Sequence, residues 1–284
     1  MIEIVRPGAL TTVQDVGRPG LAHLGVGRSG AADLGSLRLA NRLVGNHEGA
    51  ACLEMTFGNL EARFDRAATV ALAGATCPVS VSGRQMFMHG PLQLVEGDRL
   101  SVGVPTAGVR TYLAVRGGIA VAPVLGARST DVLSGVGPEP VTAGMRLPVG
   151  EDATHMPCVD VAPVPPIPAE IVLRVLPGPR DDWFTPGALA TLTSQPYEVS
   201  PQSNRVGIRL TGPALDRSRQ GELASEGMVS GAVQVPPSGQ PVVFLADHPV
   251  TGGYPIIAVV VEPDICLAAQ ARPGQTVRFR PDRR

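Results

Sequence analysis

Apolar residues in this chain come in short β-branched runs cut every few positions by glycine, proline or aspartate, and no uninterrupted apolar run exceeds Ile256–Val261. The segments "ATVALAGATCPVSVSG", "GPLQLVEGDRLSVGV", "RTYLAVRGGIAV", "IVLRVLPG", "QPVVFLAD", "PIIAVVV" and "QTVRFR" have strand length and, in several cases, period-two alternation. With 34 Gly and 28 Pro, such punctuation favours barrels or sandwiches over helical layers. Only three stretches read as helix. In "SGAADLGSLRLANRLVG", Leu34, Leu37 and Asn41 share a face and Gly45 supplies a stop, so residues 31–44 are expected to be helical; "TPGALATLTS" and "EPDICLAAQ" are shorter candidates. The fold class is therefore mainly β with a few short helices.

A chain of 284 residues has room for two cores of about 100–150 residues each. Residues 161–168, with Pro163, Pro165, Pro166 and Pro168, read as a stiff extended linker. The expected division is an N-terminal domain over 1–160, the linker, and a C-terminal domain over 169–284. "EGDRLSVG" and "PGQTVRFR", turn-then-strand segments near the two ends, echo one another and support two similar β-domains.

Composition then removes function classes. A formal charge of −1 and ten aromatics in all give neither the basic footprint nor the stacking platform of a nucleic-acid binder. The start, "MIEIVRPGALTTVQD", has no leader-like pattern and no run is long enough to span a bilayer, so neither a membrane nor export is expected and the location is read as cytoplasmic. Cys52, Cys77, Cys158 and Cys266 lie at wide, unpatterned spacings and read as reduced, mostly buried thiols. All 24 basic residues are arginine. Without lysine the chain cannot form a P-loop, a Schiff base or a biotinyl-lysine by itself.

Polar residues gather in four places. "TTVQDVGRPGLAHLGVGRSGAAD" sets Gln14, Asp15, Arg18, His23, Arg28, Ser29 and Asp33 in a glycine-rich loop before the first helix, where backbone N–H groups and a helix N-terminus could receive an anion, or where a side chain simply caps the helix. Arg116 and Arg128 stand beside glycines and could clamp a carboxylate or phosphate, or pair structurally. "SPQSNRVGIRLTGP" and "ELASEGMVSGAVQVPPSGQP" concentrate Asn204, Arg205, Glu226 and Gln234 at apparent strand ends. Finally, "ADHPVTGGYP" joins two apolar runs through Asp247, His248, Thr251, Gly252, Gly253 and Tyr254. It reads either as one wall of a rim pocket or as a tight hairpin in which the aspartate caps the turn and the glycines supply positive φ.

"TTVQDVGRPG", "GVGRSGAAD", "ANRLVGN", "TYLAVRGGIA", "LGARST", "SNRVGIRL", "LASEGMVSGAVQVPPSGQPVVFLAD" and "TGGYPIIAVV", in that order over nearly the whole chain, resemble the allophanate hydrolase subunit 2 family, also called the biotin-dependent carboxyltransferase family. "LGARST" departs from it with Ala127 where serine is common. The resemblance implies two cyclophilin-like β-barrel domains. It also implies a role as the C subunit of an ATP-dependent 5-oxoprolinase, inactive alone, opening pyroglutamate to glutamate with a KipI-like partner and a LamB/YcsF-type partner, and with an ATP site possibly shared with one of them. Two alternatives stand beside it: a urea carboxylase-like carboxyltransferase whose biotin is carried on another chain, and a non-catalytic KipA-type regulator binding a KipI-like kinase inhibitor. For ring opening, Asp247 or Glu226 is the expected base or metal ligand, the metal being left open, and His248 the proton shuttle. Asn204, Arg205, Gln234, Thr251, Gly252, Gly253, Tyr254, Ser29, Asp33, Arg116 and Arg128 are expected to bind substrate.

Overall fold

A computed structural model describes residues 1–151, 153–219, 221 and 223–282. The chain forms two compact units. One comprises 1–18, 29–131 and 135–167; the other comprises 19–28, 132–134 and 168–284.

The first unit is built on two antiparallel sheets. One has six strands in the order Arg146–Leu147, Ile2–Arg6, Leu60–Phe64, Arg99–Val102, Val79–Val81, Arg84–Met86; the other has five, Leu10–Gln14, Cys52–Thr56, Ala107–Val115, Ala68–Thr76, Leu92–Leu94. Alternation along the second sheet explains its sequence. In the Ala68–Thr76 strand, Val70 and Leu72 enter the main core with Leu53, Met55 and Leu113. Ala71 and Ala73, on the opposite face, meet helix α1 (Leu34–Leu43) through Leu37, Ala40 and Leu43. Both faces are covered over Val70–Ala73, so the middle of the strand is apolar, and alanines stand where the helix backbone must come close.

α1 begins three residues later than residues 31–44 predict, because Asp33 is its N-cap: Oδ1 accepts the Ser36 N–H at 3.0 Å and Oδ2 the Ser36 hydroxyl at 2.6 Å. A capping residue lies outside the helix by construction. At the other end Gly45 takes φ +73° and its N–H reaches Arg42 O at 3.1 Å, ending the helix as expected.

The second unit is a closed barrel of seven strands in the order Ile171–Pro177, Ile256–Val260, Ala232–Gln234, Val242–Phe244, Gly207–Thr211, Pro196–Val199, Thr276–Pro281. Its first and last strands pair in parallel, Ile171 opposite Val277 through Val175 opposite Pro281, and so close the ring. The two further expected helices are α2 (Ala188–Ser194) and α3 (Glu262–Ala268). The mainly β class is thus observed; the first unit arranges its described strands as two sheets, and the second closes.

The hairpin alternative for "ADHPVTGGYP" is not realised. Val242–Phe244 and Ile256–Val260 do not pair with each other but flank the same strand, Ala232–Gln234. The connection between them crosses a barrel end, and neither Gly252 nor Gly253 has a positive φ. None of the four cysteines forms a disulfide; Cys52 and Cys77 are buried, Cys266 is half-buried and Cys158 is exposed. Burial pushes the Cys77 thiol up to about 11, so it is inert at neutral pH.

Candidate functional site

The crossing segment is tied to the barrel in two places. Asp247 and Arg205, 1 % exposed each, form a two-pronged ion pair, Nε to Oδ2 at 2.8 Å and Nη2 to Oδ1 at 3.0 Å. Asp247 Oδ2 also accepts the Val132 N–H at 3.1 Å, and the Asp247 N–H donates to Arg205 O at 3.1 Å. This carboxylate is enclosed and engaged on both oxygens. His248, next to it, is half-buried, with Nδ1 2.8 Å from Pro249 O. Asn204 is exposed and holds a local turn, its Oδ1 accepting from Val206 N at 2.8 Å.

The second anchor brings the remaining rim residues together. Thr251–Gly252 pairs with Glu226–Gly227 as a two-stranded ribbon, Glu226 opposite Gly252. Gln234 Nε2 donates to Tyr254 O at 3.0 Å. A Cβ on Gly252 would stand 2.8 Å from that nitrogen and 3.0 Å from Met228 Sδ, so the absence of a side chain there lets the ribbon close over the amide.

Two arginines that the sequence reading passed over complete this patch. Arg180 grips Glu226 with Nε at 2.8 Å and with Nη2, and that guanidinium holds the Glu226 carboxyl below its usual range. Arg217 lies 5.7 Å from the centre of the Tyr254 ring; Nη2 donates to Val235 O, Nε is buried without a partner, and burial lowers its pKa. The patch therefore combines an ionised carboxylate, two guanidinium groups, the exposed Thr251 hydroxyl and a 44 % exposed phenol. Guanidinium groups can receive an anion, and an ionised carboxylate can accept a proton. Their positions 46 and 37 residues from their partners explain why no local pattern marked these arginines.

Of the four site candidates of the first unit, Asp33 and Arg116 lie apart, while Ser29 and Arg128 both bond around the segment 128–130. Asp33 caps the start of α1. Arg116 sits at its end, Nη1 donating to Val44 O at 2.8 Å and to His155 O, so the two are separated by a helix of ten residues, about 15 Å. Ser29 Oγ donates to Thr130 O at 3.2 Å. Arg128 N–H donates to Asp15 Oδ2 at 2.6 Å, and Asp15 Oδ1 receives the Ser129 hydroxyl. Sequence reading also missed a buried cluster behind the α1 cap: Tyr112 OH donates to Glu54 Oε2 at 2.6 Å and receives the Asp33 N–H at 2.8 Å, with Arg110 3.5 Å from Glu54. Burial and then the Glu54 charge hold the Tyr112 phenol well above its ordinary pKa. Its only sequence signal is a carboxylate inside the apolar run "CLEMT". Among the described residues, no three or more His, Cys, Asp or Glu side chains converge to hold a metal, and no helix is long and apolar enough to cross a membrane.

Residues 24–281 match the carboxyltransferase domain, subdomain A and B. The chain belongs to this family. Within it, the chain is 39 % identical to the C subunit of 5-oxoprolinase from Escherichia coli over 98 % of its own length and 90 % of that protein's. The solved structure of TTHA0988 superposes with a TM-score of 0.88 at 38 % identity, covering 98 % of this chain and 55 % of the other. K. lactis urea amidolyase superposes equally, TM-score 0.88 at 30 % identity, but this chain spans only 18 % of its length.

Proposed function

We propose that this chain is the C subunit of an ATP-dependent 5-oxoprolinase, a hydrolase that opens the lactam of pyroglutamate to glutamate. The observation that carries the reading is the match in both sequence and extent to a free-standing protein of that name, 98 % of one chain against 90 % of the other. We assign it two partners in the cytoplasm, one KipI-like and one of LamB/YcsF type. At the glycine-rich loop the Asp33 carboxylate already takes a first-turn N–H that a phosphate would use, which supports an ATP site shared with a partner subunit.

In the rim patch, Arg180 or Arg217 would meet the substrate carboxylate and Glu226 would take a proton from attacking water as ligand displaces Arg180 from it. Gln234 and Gly252 would fix the ribbon that carries Thr251 and Tyr254. Asp247 and Arg205 would position the crossing segment and His248 rather than exchange protons themselves. A second reading, a carboxyltransferase acting with biotin, is favoured by the family match and by the K. lactis superposition; its biotin would have to ride on another chain, since this one has no lysine.

Co-expression with both partner types, followed by measurement of ATP-dependent glutamate release from pyroglutamate, tests the reading. Glu226→Gln in the assembled complex is expected to lower turnover by about 10²–10⁴-fold, the range for a lost general base, with an unchanged melting temperature. Wild-type complex that releases no glutamate but carboxylates urea with a biotinylated carrier would replace the first reading by the second.

A further inference from the structure

The first unit contains a cavity of about 270 Å³ that the rim patch does not use. Its lining includes His47, Gly117, Gly118, Arg128, Gly150 and the exposed Ala120. Its floor is almost bare backbone. Gly117 takes φ +93°, a Cβ on it would collide with Gly150 O, and a Cβ on Gly150 would collide with Gly117 O. Only two glycines bring these chains into contact, and that contact leaves a hollow with walls of alanine and peptide.

Into this hollow the structure contributes one fixed cation. Arg128 is half-buried; its own N–H is held by Asp15 Oδ2 and its Nε donates to Val121 O at 2.8 Å. The first bond fixes the main chain and the second orients the guanidinium, and among the described residues neither Nη has a protein partner. His47 adds a donor, since its Nδ1 accepts the Gly49 N–H at 3.1 Å and the proton of the neutral ring then sits on Nε2.

We propose that this cavity is a binding site for a small monocarboxylate, gripped end-on by the two Nη groups of Arg128. A planar carboxylate matches the paired Nη geometry and the single positive charge. A phosphate dianion would bring a second negative charge with no second fixed cation. The volume lies just under that of pockets for drug-sized ligands, so the ligand is a metabolite-sized acid. The site stands in the first unit and does not depend on the oxoprolinase assignment.

Isothermal titration of the isolated full chain with acetate, pyroglutamate and inorganic phosphate tests it. The expected result is saturable one-to-one binding of at least one carboxylate, weakened at least about tenfold by Arg128→Gln. Ala120→Leu, at an exposed position in the cavity lining, should block the same binding while leaving the melting temperature unchanged, and it decides the matter should Arg128→Gln fail to fold. No saturable carboxylate binding, binding of phosphate alone, or carboxylate binding that survives Ala120→Leu would each overturn the proposal.

Discussion

Asp247 and Arg205 form an enclosed ion pair, each about 1 % exposed. Removing one member of an enclosed ion pair leaves the other charged and desolvated, which costs about 3–5 kcal/mol. Asp247→Asn should therefore lower stability by that order in urea melts, and Arg205→Met combined with Asp247→Leu should recover part of the loss. An Asp247→Asn variant as stable as wild type but catalytically dead would restore the role of base. Arg18 poses the opposite problem: it is 2 % exposed, yet its Nε and Nη1 have no partner. An uncompensated buried charge opposes folding, so Arg18→Met should leave the melting temperature unchanged or raise it; a loss above about 1 kcal/mol would mean that the guanidinium is paired in solution. His89 gives a pH signature. Burial lowers its pKa, so the folded chain keeps the ring neutral while the unfolded chain takes up a proton near pH 6.5, its ordinary value being about that. The folded state then binds fewer protons, and stability is whole above that pH and falls as pH drops below it. His89→Gln should flatten the fall in melting temperature between about pH 7 and 5.5; an identical profile in the variant would rule His89 out as its source.

At the scale of elements, α1 rests on one cap. Asp33→Ala should cost about 1 kcal/mol, measured as a shift in urea midpoint, and should loosen the Tyr112–Glu54 cluster that meets the Asp33 N–H; no shift would mean that packing of Leu37 and Leu43 alone sets where the helix starts. What the sequence disclosed followed the range of the physics. Strands rich in β-branched residues, such as Ala68–Thr76 and Ile256–Val260, were legible because residues on both their faces are buried. Leu10–Gln14 and Cys52–Thr56 were not, since "LTTVQ" and "CLEMT" carry Gln14 and Glu54 whose partners lie far along the chain, Thr130 and Tyr112. The same limit applies to the rim. Glu226, Gln234 and residues 251–254 do gather, as strand ends of neighbouring segments should, whereas Arg180 comes from a turn and Arg217 from an isolated bridge to Phe184, with no periodicity. Asp33 drew attention as part of a glycine-rich loop before a helix and Arg116 as a cation beside glycine, and both are engaged at the two ends of α1.

For the whole molecule, the division of the chain does not coincide with a single cut. The second unit takes Pro19–Arg28 and Val132–Ser134 from the N-terminal half in addition to 168–284. Val132 shows what such a segment supplies: its N–H meets the enclosed Asp247 carboxylate at 3.1 Å. A hydrogen bond to a buried charge is worth about 1.5–3 kcal/mol, and a chain beginning after the proline-rich segment would lack it. A fragment of residues 168–284 retains all seven barrel strands, so local topology alone would let it fold. The expectation is instead that it melts well below the full chain, by about 4 °C for each kcal/mol lost in a domain of that size. Adding a peptide spanning 128–138 should raise its melting temperature in a concentration-dependent way, as mass action requires of anything that binds the folded state. A fragment as stable as the full chain, indifferent to the peptide, would show that the barrel closes without its borrowed segments and that Asp247 is satisfied by Arg205 alone.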